Sequence, residues 1–151
     1  MTELVGKKKR TRSQIGKASR NKGKVMERRI ANILKDRGFE ARRAVQFDGL
    51  FSHDIHTDLP FNFEAKAVEN LNINNAMEQA RTDSRRDGTT PTVVHKKNGK
   101  PLLITMDFTD FIDFMQFAVG YVDDKNAMDL REIRVKYTEK MRSELEAEEL
   151  L

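Results

Sequence analysis

The chain contains no cysteine. Disulfides and thiolate metal sites are therefore excluded, and any metal would have to be held by nitrogen or oxygen ligands. Long apolar runs are also missing. Nothing approaches the length of a membrane span, and no signal-peptide pattern opens the sequence. These absences lead to the expectation of a soluble intracellular protein. Apolar residues are scarce at 38%, against 34% charged, so 151 residues should build one modest core with polar extensions.

Charge is abundant and unevenly placed. Residues 1–43 hold 15 Lys and Arg against 4 acids, a net of +11, which leaves −7 for the remainder. A basic start on an acidic body is the pattern of a nucleic-acid arm; the plainer alternative is a solvated tail without a partner. Residues 1–22 have little apolar content and no periodicity, so they read as a flexible basic arm. The run KKKR fits a nuclear localisation signal, but phosphate binding explains it equally well.

Periodicity organises the rest. Met26, Ile30, Ile33 and Leu34 make a helical stripe, predicting a helix from about Gly23 that stops at Gly38. Glu27 falls beside that stripe, an unusual place for a carboxylate. EARRAVQF reads as a short strand and DGLFSH as a turn. PFNFEAKAV alternates, with Phe61, Phe63, Ala65 and Ala67 on one face and Asn62, Glu64 and Lys66 on the other. Asn72 opens a second helix with Ile73, Ala76, Met77 and Ala80 as its stripe. TPTVVHK and PLLITMDF are two strands joined by an Asn-Gly turn at residues 97–100. A third helix places Phe108, Phe111, Ile112, Met115 and Val119 inward. A charged helix closes the chain, with Leu130, Ile133, Tyr137, Met141 and Leu145 as a narrow apolar line that packs on the domain or on a second chain. The order predicts an α/β protein: a mixed central sheet flanked by helices, spanning residues 23–121, with the C-terminal helix in 122–151.

The chemistry concentrates in HDIHTDLPFNFEAK, residues 53–66. Glu64 and Lys66 share a strand face, Asp54 precedes them, and Glu27 borders the first helix. Carboxylate oxygens are hard ligands that suit Mg²⁺ or Mn²⁺. Asp54, Glu64 and the Ala65 carbonyl would hold such an ion with positions left for water and phosphate. Lys66 would then hold or help deprotonate the attacking water. The competing reading is an ordinary exposed Glu–Lys pair. Asp58 lies nearer Glu64 and competes with Asp54 as the metal acid. His53 and His56 stand three apart on opposite sides of an extended segment, which disfavours zinc; His53 is expected to line the site or contact phosphate, His56 to sit in a turn, and His95 to be structural.

HDI…FNFEAK resembles the PD-(D/E)xK signature of restriction-endonuclease-like nucleases, with Asp54 as the acid and Glu64-Ala65-Lys66 as the ExK. Within that superfamily, KGKVMERRIANILKDRGFEARR, NNAMEQARTDS and PTVVHKKNGKPLLITMDFTDFIDFM are similar to archaeal-type Holliday junction resolvases and their phage relatives. The likeness covers about residues 20–118. It implies a restriction-endonuclease-like fold, Glu27-Arg28 as the pair of the first helix and Gln79 as the glutamine of the second. It also implies a Mg²⁺-dependent homodimer that resolves four-way DNA junctions. Under this reading Arg20, Lys22, Lys24, Arg28, Arg29, Arg42 and Arg43 contact the DNA backbone; otherwise they are solvated. A nicking, flap or restriction-type nuclease of the same fold, and a non-catalytic nucleic-acid-binding protein, are the alternatives. The His53 position departs from the residue that often precedes the family's acid, and the spacing from Asp54 to Glu64 is short, which calls for a tight hairpin.

Overall fold

A computed structural model describes residues 9–45, 53–86, 88–120 and 130–149. The first helix, α1, runs Arg12–Asp36 and so starts eleven residues before the expected Gly23. Its beginning is set by a capping box: the Thr11 hydroxyl accepts from the Gln14 amide at 3.2 Å, and the Gln14 side chain accepts from the Thr11 amide at 2.9 Å. Residues 12–22, expected as a flexible arm, are therefore helical. Low hydrophobicity was a poor guide there, because Lys, Arg, Gln and Ala are good helix formers whether or not they have a core to face. Burial begins only with Met26, Ile30 and Ala31. The helix closes at Gly38, whose φ of 91° lets the Gly38 and Phe39 amides bond back to the Lys35 and Leu34 carbonyls.

Strands β1 (Ala41–Arg43) and β2 (Ile55–Thr57) pair antiparallel, with Arg42 opposite His56. His56 is thus a strand residue rather than a turn residue. Of the turn expected at residues 48–53 the structure describes His53; residues 48–52, and Gln46 and Phe47 of the first expected strand, lie outside the described residues. The second sheet has order β3-β4-β5. Strand β3 (Phe61–Lys66) runs parallel to β4 (Thr90–His95), and β5 (Leu103–Thr105) returns antiparallel. The parallel pair needs a crossover, which is α2 (Ile73–Ser84). Its N-cap is Asn72, as expected, with the side chain accepting from the Asn75 amide at 3.1 Å. The β4–β5 hairpin turns at Lys97–Lys100, where Gly99 supplies φ 66°.

The β3–β4 layer is covered on both faces. Phe63 and Val94 pack with Met26, Ile30, Ala31, Ala41 and Ile55 on the α1 side. Val93 packs with Ala76, Met77 and Ala80 on the α2 side. The expected mixed α/β architecture is present, though its strands divide into a two-stranded and a three-stranded sheet. Arg81 of α2 grips Asp107 just past β5 through two bonds of 3.0 and 2.6 Å, and the guanidinium holds that carboxyl below the usual range.

The chain forms two compact units, residues 1–107 and 108–151. The boundary expected after residue 121 falls outside the described residues. The second unit contains α3 (Phe108–Gly120) and α4 (Leu130–Glu149). The stripe expected to face inward on α3 does not: Phe108 is 75% exposed, and Phe111, Ile112 and Met115 are also exposed. Helical periodicity identified one face of α3 but carried no information about what covers it. No helix among the described residues is long and apolar enough to cross a membrane.

Candidate active site

Strand β3 supplies the centre of the site. Its period of two puts Glu64 and Lys66 on one face, as expected, and register pairs Glu64 with Val93, the residue α2 covers. Glu64 is only 4% exposed. That removes the reading of an ordinary solvated pair, because an isolated carboxylate so buried would be strongly destabilising. Its partner is Lys66, with Nζ 2.5 Å from Glu64 Oε1. The same ammonium donates to Gln79 Oε1 of α2 at 3.1 Å. Gln79 therefore stands at Lys66, and the helix that shields Glu64 also orients the lysine.

Asp54 approaches from the start of β2. Its Oδ2 accepts from the Ala65 amide at 2.7 Å, so the residue between Glu64 and Lys66 contributes its backbone as an anchor. Burial pushes the Asp54 carboxyl up to about 6; the neighbouring Glu64 charge adds to this, the Ala65 amide opposes it, Glu27 adds a little and Lys66 opposes. Asp58, the competing acid, is exposed, and its carboxylate accepts a 3.4 Å bond from the adjacent Thr57 hydroxyl.

Glu27 reaches the site from the edge of α1, and its carboxylate accepts from Arg43 Nε of β1. The Asp54 carboxyl feels its charge. Three carboxylates thus meet two cations, Lys66 and Arg43, leaving one negative charge in excess. Among the described residues no group of three or more His, Asp or Glu side chains is gathered tightly enough to hold a metal by itself. The donor set is nonetheless suited to a hard cation: two mutually repelling carboxylates, Asp54 and Glu64, beside the Ala65 carbonyl, with the Asp54 carboxyl raised first by burial and then by the Glu64 charge.

The expected basic residues separate into two groups. Arg20, Lys24, Arg28, Arg29 and Arg42 are exposed, and Lys22 is half-buried with Glu69 at 4.0 Å. Arg43 instead belongs to the carboxylate cluster, a partnership that no spacing in the sequence announces. His53 and His56 line a small pocket with Ile55, Thr57, Leu59, Phe61 and Thr89, their rings 6.2 Å apart and edge-on. His95 bonds Thr105 across β4–β5 at 2.9 Å, in keeping with a structural role. Asn62 shares the Glu64 face, as the strand alternation requires. It is 2% exposed, and among the described residues neither polar atom of its side chain has a hydrogen-bond partner.

The acid-x-lysine strand end, with a second acid bonded to the amide between them, has the arrangement that the sequence motif led one to expect. The chain belongs to the family described as "Phage putative PDDEXK endonuclease", whose model matches residues 18–149. Among solved structures it is similar to Hjc, a Holliday junction resolvase from the archaeal hyperthermophile Archaeoglobus fulgidus. Identity is 24%, covering 56% of this chain and 72% of that one, with a TM-score of 0.44. No curated protein matches the chain.

Proposed function

We propose that the protein is a divalent-metal-dependent endonuclease that hydrolyses phosphodiesters in branched DNA, four-way junctions foremost, and that it works as a homodimer. The observation that carries the chemistry is the buried Glu64 clamped to Lys66, with Asp54 on the Ala65 amide. Asp54, Glu64 and the Ala65 carbonyl would hold Mg²⁺ or Mn²⁺. Such an ion, when bound, polarises the phosphoryl oxygen and makes a water more acidic.

The remaining work falls to the chain's own groups. Lys66, held between Glu64 and Gln79, directs its ammonium protons at the attacking water or at the phosphate oxygens, where negative charge builds up. Gln79 sets the rotamer of that lysine and offers its amide to the phosphate. Glu27 supports the acids from α1, and Arg43 orients that carboxylate through its Nε bond. Arg20, Lys24, Arg28, Arg29 and Arg42 present exposed positive charge for the DNA backbone, with Lys22 beside them. Junction preference rests on the sequence likeness to junction resolvases, and the dimer on the need for two symmetric cuts.

The test is cleavage of labelled four-way, flap, nicked and linear duplex substrates, with and without Mg²⁺, by wild type and Glu64→Ala. The expected result is metal-dependent cutting of the junction, lost in Glu64→Ala while junction binding persists. Equal rates on linear duplex would leave a nuclease of another specificity. No metal-dependent cutting of any substrate would leave a non-catalytic DNA-binding protein.

A further inference from the structure

The charges of α4 run against its own dipole. Arg131, Arg134, Lys136, Lys140 and Arg142 against Glu132 and Glu139 make residues 130–142 net +3; Glu144, Glu146, Glu148 and Glu149 make residues 143–149 net −4. A helix carries partial positive charge at its N-terminus and negative charge at its C-terminus, so this order is unfavourable at both ends. Every α4 residue with a described side chain is exposed, including the apolar Val135, Tyr137, Met141 and Leu145. Tyr137, Met141 and Leu145 recur every four residues and share one stripe. Lys140 and Glu144, 3.7 Å apart, mark where the basic half meets the acidic half. A helix of this length with an adverse charge order and an uncovered stripe is marginal alone.

We infer that α4 pairs antiparallel with α4 of a second copy of this chain, about a two-fold axis near Met141. Reversal lays the acidic half of each helix along the basic half of the other, so that both adverse ends are offset at once. Parallel pairing would set like charge on like. The arrangement is self-complementary, as a two-fold interface requires. With the axis at Met141, Tyr137 of one copy meets Leu145 of the other, and the apolar stripe is covered. The acidic half repels phosphate, which rules out nucleic acid as an occupant along the whole helix. The inference deepens the dimeric nuclease proposed above and rests on that reading for its purpose, but its evidence lies entirely in α4.

Sedimentation of the full-length protein at low and high salt, without DNA or metal, tests it. Glu144→Lys/Glu146→Lys/Glu148→Lys in one chain, or Lys136→Glu/Lys140→Glu/Arg142→Glu in another, should each weaken self-association about tenfold or more. An equal mixture of the two should form heterodimers, and both sets in one chain should restore the homodimer. Orientation is read by cross-linking, since the chain has no cysteine of its own. Met141→Cys should couple to itself, and Tyr137→Cys to Leu145→Cys. A monomeric wild type, indifference to both charge reversals, or self-coupling of Tyr137→Cys would overturn the inference. A dimer that cuts no DNA would instead refute the nuclease reading and leave this interface standing.

Discussion

Replacing Asp54 by asparagine should stabilise the metal-free protein while destroying its activity. The folded structure raises the Asp54 carboxyl from 3.8 to about 6, chiefly through burial and then through the charge of Glu64. That gap of about two pH units corresponds to about 3 kcal/mol at 1.36 kcal/mol each, an upper bound on the cost of ionising Asp54 in place. The sign follows from proton binding. Below the unfolded value both states are protonated and nothing is lost. Between about pH 4 and pH 6 the native state binds more protons than the unfolded state, so wild-type stability falls as pH rises. The asparagine side chain keeps an oxygen that can accept from the Ala65 amide and has no charge to bury. The stability of Asp54→Asn minus that of wild type should therefore grow through this window and level off above it, reaching an increase in melting temperature of about 10 °C. Denaturation at a series of pH values in chelator, repeated with Mg²⁺, measures it. Mg²⁺ should stabilise wild type, narrow the gap and leave the variant unmoved. A difference that stays flat with pH, or a less stable variant at neutral pH, would refute the account of Asp54 as a buried, charge-repelled acid.

Four other outcomes are expected. Apparent Mg²⁺ affinity, followed by calorimetry, should fall up to about tenfold per unit as pH drops below about 6, because the ion must displace the Asp54 proton. Lys66→Ala should lower the single-turnover cleavage rate about 10²- to 10⁴-fold and also destabilise the fold, since Glu64 then loses its 2.5 Å partner in a buried position; Lys66→Arg should recover more stability than activity. Arg43→Ala should cost about 1–3 kcal/mol by denaturation because Glu27 is left half-buried without its guanidinium, and the double variant Arg43→Ala/Glu27→Ala should recover part of that loss. Arg20→Ala/Lys24→Ala should weaken binding to all DNA shapes alike and shallow the salt dependence by about one unit for each phosphate no longer neutralised, with cleavage of bound DNA unchanged.

The exposed stripe of α3 and the early start of α1 show where pattern reading reached its limit. Both were correctly read as helical over their apolar stretches. For α3, periodicity named the apolar face and wrongly supplied it with a core. For α1, scarce apolar residues say nothing against a helix, because the Thr11–Gln14 capping box and good helix formers extend it through the basic segment. Neither error touched the site, whose strand, crossover helix and hairpin carry strong local signals in Glu64-Ala65-Lys66, Asn72 and Gly99.

Reading along the chain suffices for the shared face of Glu64 and Lys66, the start of α2 after Asn72 and the turn of β4 into β5 at Asn98-Gly99. Strand period, capping and positive φ depend only on near neighbours, so they can be read along the chain. Long-range packing is what brings Asp54 rather than Asp58 to the Ala65 amide, joins Arg43 to Glu27 and buries Glu64 beneath α2. Those outcomes depend on groups brought together across 11 residues or more, and on the low-dielectric surroundings that packing creates around them. Burial and charge in that enclosure, not the spacing of the motif, hold the Asp54 proton to about pH 6.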